Sequence, residues 1–258
     1  MLKLLCIGDV VAGVGCSFLR EKLPALKKQL GIDIVICNGE NSADGNGILP
    51  TSADHLFKSG VDVITLGNHA FRRREIYPYL DENPFVVRPA NYPSASTPGK
   101  GYCILDCTRY SVAVINVIGN VFNSNPLDCP FRTLDKLLSE IDARIIVVDI
   151  HAEATSEKRS LGFYLDGRVS AIFGTHTHVR TADAQVLPKG TGYITDAGMT
   201  GPRNSVLGVN PQITVESFRD KLPIRFEPLK GECSMDCVLF EIDEKTGRAI
   251  SAESMTIL

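Results

Sequence analysis

Three apolar runs near the start of the chain, residues 2–7, 33–37 and 61–66, each give way to a polar ending, at Asp9, at Glu40-Asn41 and at Asn68-His69. The endings lie about thirty residues apart, the length of one strand-helix crossover. Helices are expected between them over 17–30, 51–59 and 72–80, where leucines recur at helical spacing, as at Leu19, Leu23, Leu26 and Leu30. Continuous apolar runs of this kind are what parallel strands covered on both faces require. Ligands of such sheets gather beyond the strands' carboxyl ends, where the polar groups of this chain fall.

The pattern continues downstream. Residues 101–106 and 111–117 alternate as a hairpin does, and a helix is expected over 134–141. Residues 144–150 are apolar beyond Arg144 except for Asp149, and the run ends at His151. A helix from about 155 to 165 leads to the run 169–173 and then to Gly174-Thr175-His176-Thr177-His178. On an extended segment His176 and His178, spaced i and i+2, would share one face. A strand over 190–196 and a loop over 197–202 follow. The tail, 224–228, 234–242 and 249–257 with a turn at 243–247, reads as antiparallel β. Parallel units followed by a meander predict an α/β fold of two packed sheets flanked by helices. No linker-like stretch divides it, so residues 1–258 read as a single domain.

Bulk properties exclude several classes. The chain has 258 residues, 44% apolar and 22% charged, with a formal net charge of −3. That is ordinary globular composition, with no basic footprint for stable nucleic-acid binding and no polybasic patch for lipid. No run is apolar and long enough to span a membrane, and residues 1–11 lack a signal-peptide pattern, so a cytoplasmic protein is expected. Self-association into a homo-oligomer is compatible with the sequence. The eight cysteines are scattered, as free thiols would be. Cys103-x3-Cys107 and Cys233-x3-Cys237 have ligand-like spacing, but both fall in β segments, where i and i+4 stand too far apart for easy joint ligation. The glycines of residues 8–15 lack the lysine and hydroxyl residue of a phosphate-binding loop.

Collected, the strand ends supply Asp9, Glu40, Asn41, Asn68, His69, His151, His176 and His178. Singly, each has an ordinary reading: Asp9 as a cap, Asn68 as a turn residue, His151 as a core histidine. Jointly they form one layer of carboxylate, amide and imidazole donors, which suits manganese, iron or zinc better than copper. They are too many for one tetrahedral ion. Two ions roughly 3.5–4 Å apart, bridged by Glu40, are the economical arrangement, and such pairs promote in-line displacement at phosphorus. Two divalent ions against Asp9, Glu40 and one shared hydroxide leave the site net positive, suited to an anionic substrate. That hydroxide would be the nucleophile.

These motifs, Gly8-Asp9, Gly39-Glu40-Asn41, Gly67-Asn68-His69, His151 and Gly174-Thr175-His176-Thr177-His178, resemble those of the calcineurin-like metallophosphoesterase superfamily. Val11 stands where that superfamily commonly has a histidine, and Glu40-Asn41 where Gly-Asp is usual. Those departures, with Arg88-Pro89-Ala90-Asn91, the stretch His151-Ala152-Glu153-Ala154-Thr155-Ser156-Glu157-Lys158 and the stretch Thr195-Asp196-Ala197-Gly198-Met199-Thr200-Gly201-Pro202, resemble the bacterial YmdB-like phosphodiesterases over nearly the whole chain. The resemblance implies hydrolysis of small phosphodiesters such as 2′,3′-cyclic nucleotides by two divalent or mixed-valence ions, iron or manganese foremost. It implies Asp9, Glu40, Asn41 and His178 around one ion, and Glu40, Asn68, His151 and His176 around the other. It gives His69 the role of proton donor to the leaving oxygen.

Two other functions fit the same residues: a phosphomonoesterase, phosphoprotein or RNA phosphohydrolase, and a non-catalytic nucleotide-sensing regulator. Glu153, Glu157 and Lys158 are candidates to orient His151. Arg88, Thr200 and Arg203 are candidate phosphate contacts, and His55, on a surface helix, has no assigned role.

Overall fold

The structure is a computed structural model that describes all 258 residues. Its first sheet is built from β1 (Leu2–Val10), β2 (Ile34–Asn38), β3 (Val63–Thr65) and β4 (Val86–Val87), running parallel and connected through α1 (Ala12–Leu30), α2 (Pro50–Lys58) and α3 (Ile76–Glu82). The second is built from β5 (Tyr102–Asp106), β6 (Ser111–Ile118), β7 (Ile145–His151), β8 (Ala171–Thr175), β9 (Gln185–Val186) and β10 (Gly192–Ile194), with α4 (Pro130–Glu140) and α5 (Thr155–Leu165) between them. Here β6, β7, β8 and β10 run parallel, and β5 and β9 close the two edges antiparallel. The chain then returns to the first sheet through β11 (Met199–Pro202), α6 (Pro211–Asp220), β12 (Cys233–Ile242) and β13 (Ala249–Ile257). The first sheet has the order β13-β12-β11-β1-β2-β3-β4 and the second β5-β6-β7-β8-β10-β9.

Strand periodicity explains the layering. In β1, Leu4 and Cys6 point toward the other sheet and join Ile36, Val114, Val147, Phe173 and Phe240 in the central core. Leu5 and Ile7 point the other way, onto Leu19 and Leu23 of α1 and Leu56 of α2. The second sheet repeats the arrangement, with Ile115, Val148 and Ile150 packed against Leu134 of α4 and Leu161 of α5. Alternate residues of one apolar run thus face two different apolar layers, which is why these strands lack polar alternation. The result is an α/β sandwich of two sheets flanked by helices.

Several boundaries differ from expectation. α1 begins at Ala12 rather than near Ser17, since the Val11 and Ala12 N–H groups bond Thr200 and Asn41 carbonyls and turn the chain immediately. α3 begins at Ile76, four residues later than expected. Residues 199–202, expected as loop, form β11 parallel to the end of β1. Gly8 and Gly198 permit this approach: a Cβ at Gly8 would lie 2.0 Å from the Gly198 carbonyl oxygen. Residues 224–228, expected as a strand, carry only an isolated bridge at Pro228, and the unexpected α6 precedes them behind its Asn210 cap. The two cysteine pairs belong to different sheets: Cys103 packs in the central core, Cys237 on the helix side of β12, and all eight thiols are free.

Candidate metal centre

Register brings the polar strand ends together. Asp9 lies opposite Asn38, Asn38 opposite Thr65, and in the other sheet His151 lies opposite Thr175. The eight candidate residues form one connected cluster. Asp9 Oδ1 lies 3.5 Å from His178 Nε2 and 3.3 Å from Asn41 Nδ2, and Asn41 Oδ1 lies 2.9 Å from His69 Nδ1. Glu40 accepts from the His69 backbone N–H at 2.8 Å, and its other oxygen is 3.1 Å from His151 Nε2. That same nitrogen is 2.9 Å from Asn68 Oδ1 and 3.1 Å from His176 Nδ1. Donor atoms of Glu40, His151 and His176 all lie within 4.8 Å of one another. Gly67 is required for this closeness, because a Cβ there would sit 2.3 Å from His151 Nε2 and 2.5 Å from a Glu40 oxygen.

The two clustered histidines do not share a face. β8 ends at Thr175, and His176 and His178 both take positive φ, 98° and 61°. The extended geometry that would align i with i+2 is therefore absent. His176 turns toward His151 and Glu153, and His178 toward Asp9 and Asn41. Such conformations cost of order 1–3 kcal/mol each and persist only where surroundings over-determine them. Here the Lys158 ammonium donates to the Thr175 carbonyl at 2.6 Å and to Asp196 at 2.7 Å, Asp196 accepts from Thr177 N–H and Oγ1–H, and Asp9 accepts from His176 N–H at 2.9 Å. Lys158 and Asp196 are buried.

Hydrogen bonding fixes the ring states of three histidines. Beneath His151, Asp149 accepts from the hydroxyls of Thr65 and Thr175 and from Asn38 Nδ2. Thr175 Oγ1 has spent its one proton on Asp149, so at 2.9 Å it accepts from His151 Nδ1–H. His178 Nδ1 is 3.1 Å from the Leu207 carbonyl, and His176 Nε2 is 3.1 Å from Glu153 Oε2; both nitrogens must donate there. Each ring therefore presents its remaining nitrogen to the cluster interior, the arrangement in which metal-ligating histidines are held.

The charges inside are tightly coupled. Burial alone would raise the pKa of Asp9, but the His178 imidazolium and bonds from His178 and the His176 N–H hold it below the usual carboxylate range. Glu40 is lowered similarly: burial opposes, and the charge and hydrogen bond of His151 prevail. Burial disfavours the His151 cation, yet Glu40 and then Asp9 bring its pKa up to about 9. Burial and the neighbouring His151 charge push His176 down to about 4. Burial likewise leaves Asp149 high, at about 6, despite its three donors.

The donor set fits a metal. Inward-facing imidazole nitrogens 3.1 Å apart, beside Glu40 and the Asn68 amide oxygen, converge on one point with a single proton to share, and a cation replaces that proton without conflict. In the Asp9, Asn41 and His178 group, Asn41 turns its amide NH₂ toward the other two. A half-turn of the amide exchanges nitrogen for oxygen and completes a three-donor set.

Other candidates fall elsewhere. Glu153 touches His176, Glu157 accepts from the Asn120 and Val121 N–H groups, and Lys158 supports Thr175; none orients His151 directly, a task that falls to Thr175 and Asp149. Thr200 is buried with an unpartnered hydroxyl, the Arg88 guanidinium bonds the Pro89 carbonyl, and Arg203 lines a different groove with Phe18. The arginine that lines the cleft beside Asn68, His151 and His176 is Arg72, hidden in the sequence within an ordinary helix-start pattern. Asp196 stood in the sequence only as part of a family-like stretch, with no role of its own.

The architecture is the two-sheet α/β sandwich flanked by helices described above. It is shared, as fold alone, with the calcineurin-like phosphoesterase YfkN of Bacillus subtilis at a TM-score of 0.57 and 12% identity, over 99% of this chain and 90% of that one. The family model described as "YmdB-like protein" matches residues 5–255, and the chain belongs to that family. It is 44% identical to a 2′,3′-cyclic-nucleotide 2′-phosphodiesterase of Bacillus subtilis (strain 168), over 99% of this chain and 97% of the relative. A crystal structure described as a novel phosphatase from Mycoplasma pneumoniae superposes with a TM-score of 0.94 at 34% identity, over 99% of this chain and 93% of that one. The chain is accordingly a hydrolytic enzyme. None of its helices is long and apolar enough to cross a membrane.

Proposed function

We propose that this enzyme hydrolyses small nucleotide phosphodiesters, 2′,3′-cyclic nucleotides among them, at a site holding two metal ions. The observation that carries this reading is the common state of His151, His176 and His178, each giving one ring N–H to an outer oxygen and turning its other nitrogen inward. Asp9, Asn41 and His178 would hold one ion and Asn68, His151 and His176 the other, with Glu40 shared between them. Bound ions of this kind neutralise phosphoryl charge and lower the pKa of water toward neutrality. Imidazole, carboxylate and amide donors suit iron or manganese, and zinc after them. The relative's printed activity supports the substrate class.

His69 serves differently. Its Nδ1 faces Asn41 and Glu40, its side chain is partly exposed, and its Nε2 bonds no protein group. With the Asn41 amide turned to offer its oxygen to an ion, its NH₂ would donate to His69 Nδ1 and leave the ring proton on Nε2, placed for delivery to the departing ribose oxygen, a contribution typically of 10²–10⁴-fold.

The test pairs elemental analysis with turnover. Two ions per chain, and faster hydrolysis of 2′,3′-cyclic AMP than of a nucleotide monoester or RNA, are expected. A metal-free protein active on the cyclic substrate, or a metal-replete one inactive on it, rejects the reading.

A further inference from the structure

We infer that the loop of residues 119–125, together with Arg72, forms a nucleoside subsite beside the histidine cluster, an assignment that rests on the phosphodiesterase reading above. The two parts line one cleft of about 220 Å³. Asn68, His151 and His176 form its inner wall, and Phe122, Ser124 and Asn125 belong to its rim.

Phe122 is the telling residue. It is 86% exposed, and its φ of 61° places a bulky side chain in the left-handed region. Neither burial nor backbone preference accounts for phenylalanine there. Its loop is nonetheless anchored: Glu157 accepts from the Asn120 and Val121 N–H groups at 2.8 and 3.1 Å, and the Asn123 amide bonds the Gly119 carbonyl at 3.2 Å. A ring held out from a fixed base over a polar cleft is a platform on which a flat heterocycle stacks.

Arg72 supplies the complementary contact. It is the one arginine or lysine of the cleft lining, and a guanidinium presents paired N–H groups that match phosphoryl oxygens. The phosphate end of the substrate thus lies against Arg72 and the histidines, with the base reaching outward to Phe122. Ser124 and Asn125 lie where they can bond the base edge or the ribose.

The test compares metal-loaded wild type, Phe122→Ala, Phe122→Trp and Arg72→Ala on 2′,3′-cyclic AMP and on glycerol 1,2-cyclic phosphate, which has the cyclic diester and no base. Phe122→Ala should lower kcat/KM roughly tenfold further on the nucleotide than on the base-free diester, mainly through KM, the size of one lost stack. Phe122→Trp should restore the difference, and Arg72→Ala should slow both substrates alike. Equal effects of Phe122→Ala on the two substrates, or an Arg72→Ala enzyme unchanged on both, overturn the subsite while leaving the phosphodiesterase reading in place. A wild type inactive on both diesters overturns that reading, and the subsite with it.

Discussion

The floor of the site, made by Asn38, Thr65, Asp149 and Thr175, is wholly buried and bonded group to group, whereas the rim, residues 119–125, is tied at its base and holds Phe122 in water. The floor joins four strands from both sheets. A displacement there would leave a buried polar group without a partner, at a cost of about 1–3 kcal/mol. The rim can change its exposed side chains with little effect on stability. In the proposed reading, geometry for metal is built where movement is costly, and substrate choice where sequence change is cheap.

The contrast can be broken at several points. The largest expected effect lies between floor and rim, at His69. His69→Ala should keep both ions yet lose about 10²–10⁴-fold in turnover, and metal analysis beside steady-state kinetics checks both halves; loss of an ion would make His69 a ligand instead. Lys158→Met strands buried Asp196 and frees the Thr175 carbonyl, which should destabilise the fold by about 3–5 kcal/mol in denaturant unfolding. A cost below 1 kcal/mol would show that the strained histidine turn holds without the pair.

Thr175→Val keeps the shape of the floor but removes the acceptor of His151 Nδ1–H. Metal affinity or turnover should fall about 10–100-fold in a metal titration; an unchanged titration would deny the floor its orienting role. The smallest effect is in pH dependence. In chelator-treated protein the folded-state pKa of His151 is about 9, above its ordinary value of 6.5. Its contribution is fully present below about pH 6.5 and lost as pH rises through 9. His176, at about 4, is neutral throughout that window and does not oppose it. Melting temperature should therefore decline from pH 6.5 to 9, and a rise instead would contradict the assigned charge state.

Much of this was legible in the sequence. Continuous apolar runs ended by Asp9, Glu40, Asn68 and His151 specify parallel strands and the edge at which their polar groups meet, because burial on both faces leaves no other composition. What stayed hidden depends on contacts distant in the chain. The positive φ at His176 and His178 follows from Lys158, Asp196 and Asp9, and no local rule announces it. β11 becomes a strand because Gly198 can touch Gly8, and Arg72 reads as surface charge until the cleft is assembled around it. Asp149, a lone carboxylate in an apolar strand, was visible as an exception, but its hydroxyl and amide donors come from three other strands.

Anomalous scattering from crystals soaked in manganese tests the central claim most directly. The account expects two peaks per chain, one bounded by Asn68, His151 and His176, the other by Asp9, Asn41 and His178, with Glu40 reaching both. An empty cluster, or rings turned so that Thr175, Glu153 and Leu207 lose their histidine donors, would contradict it.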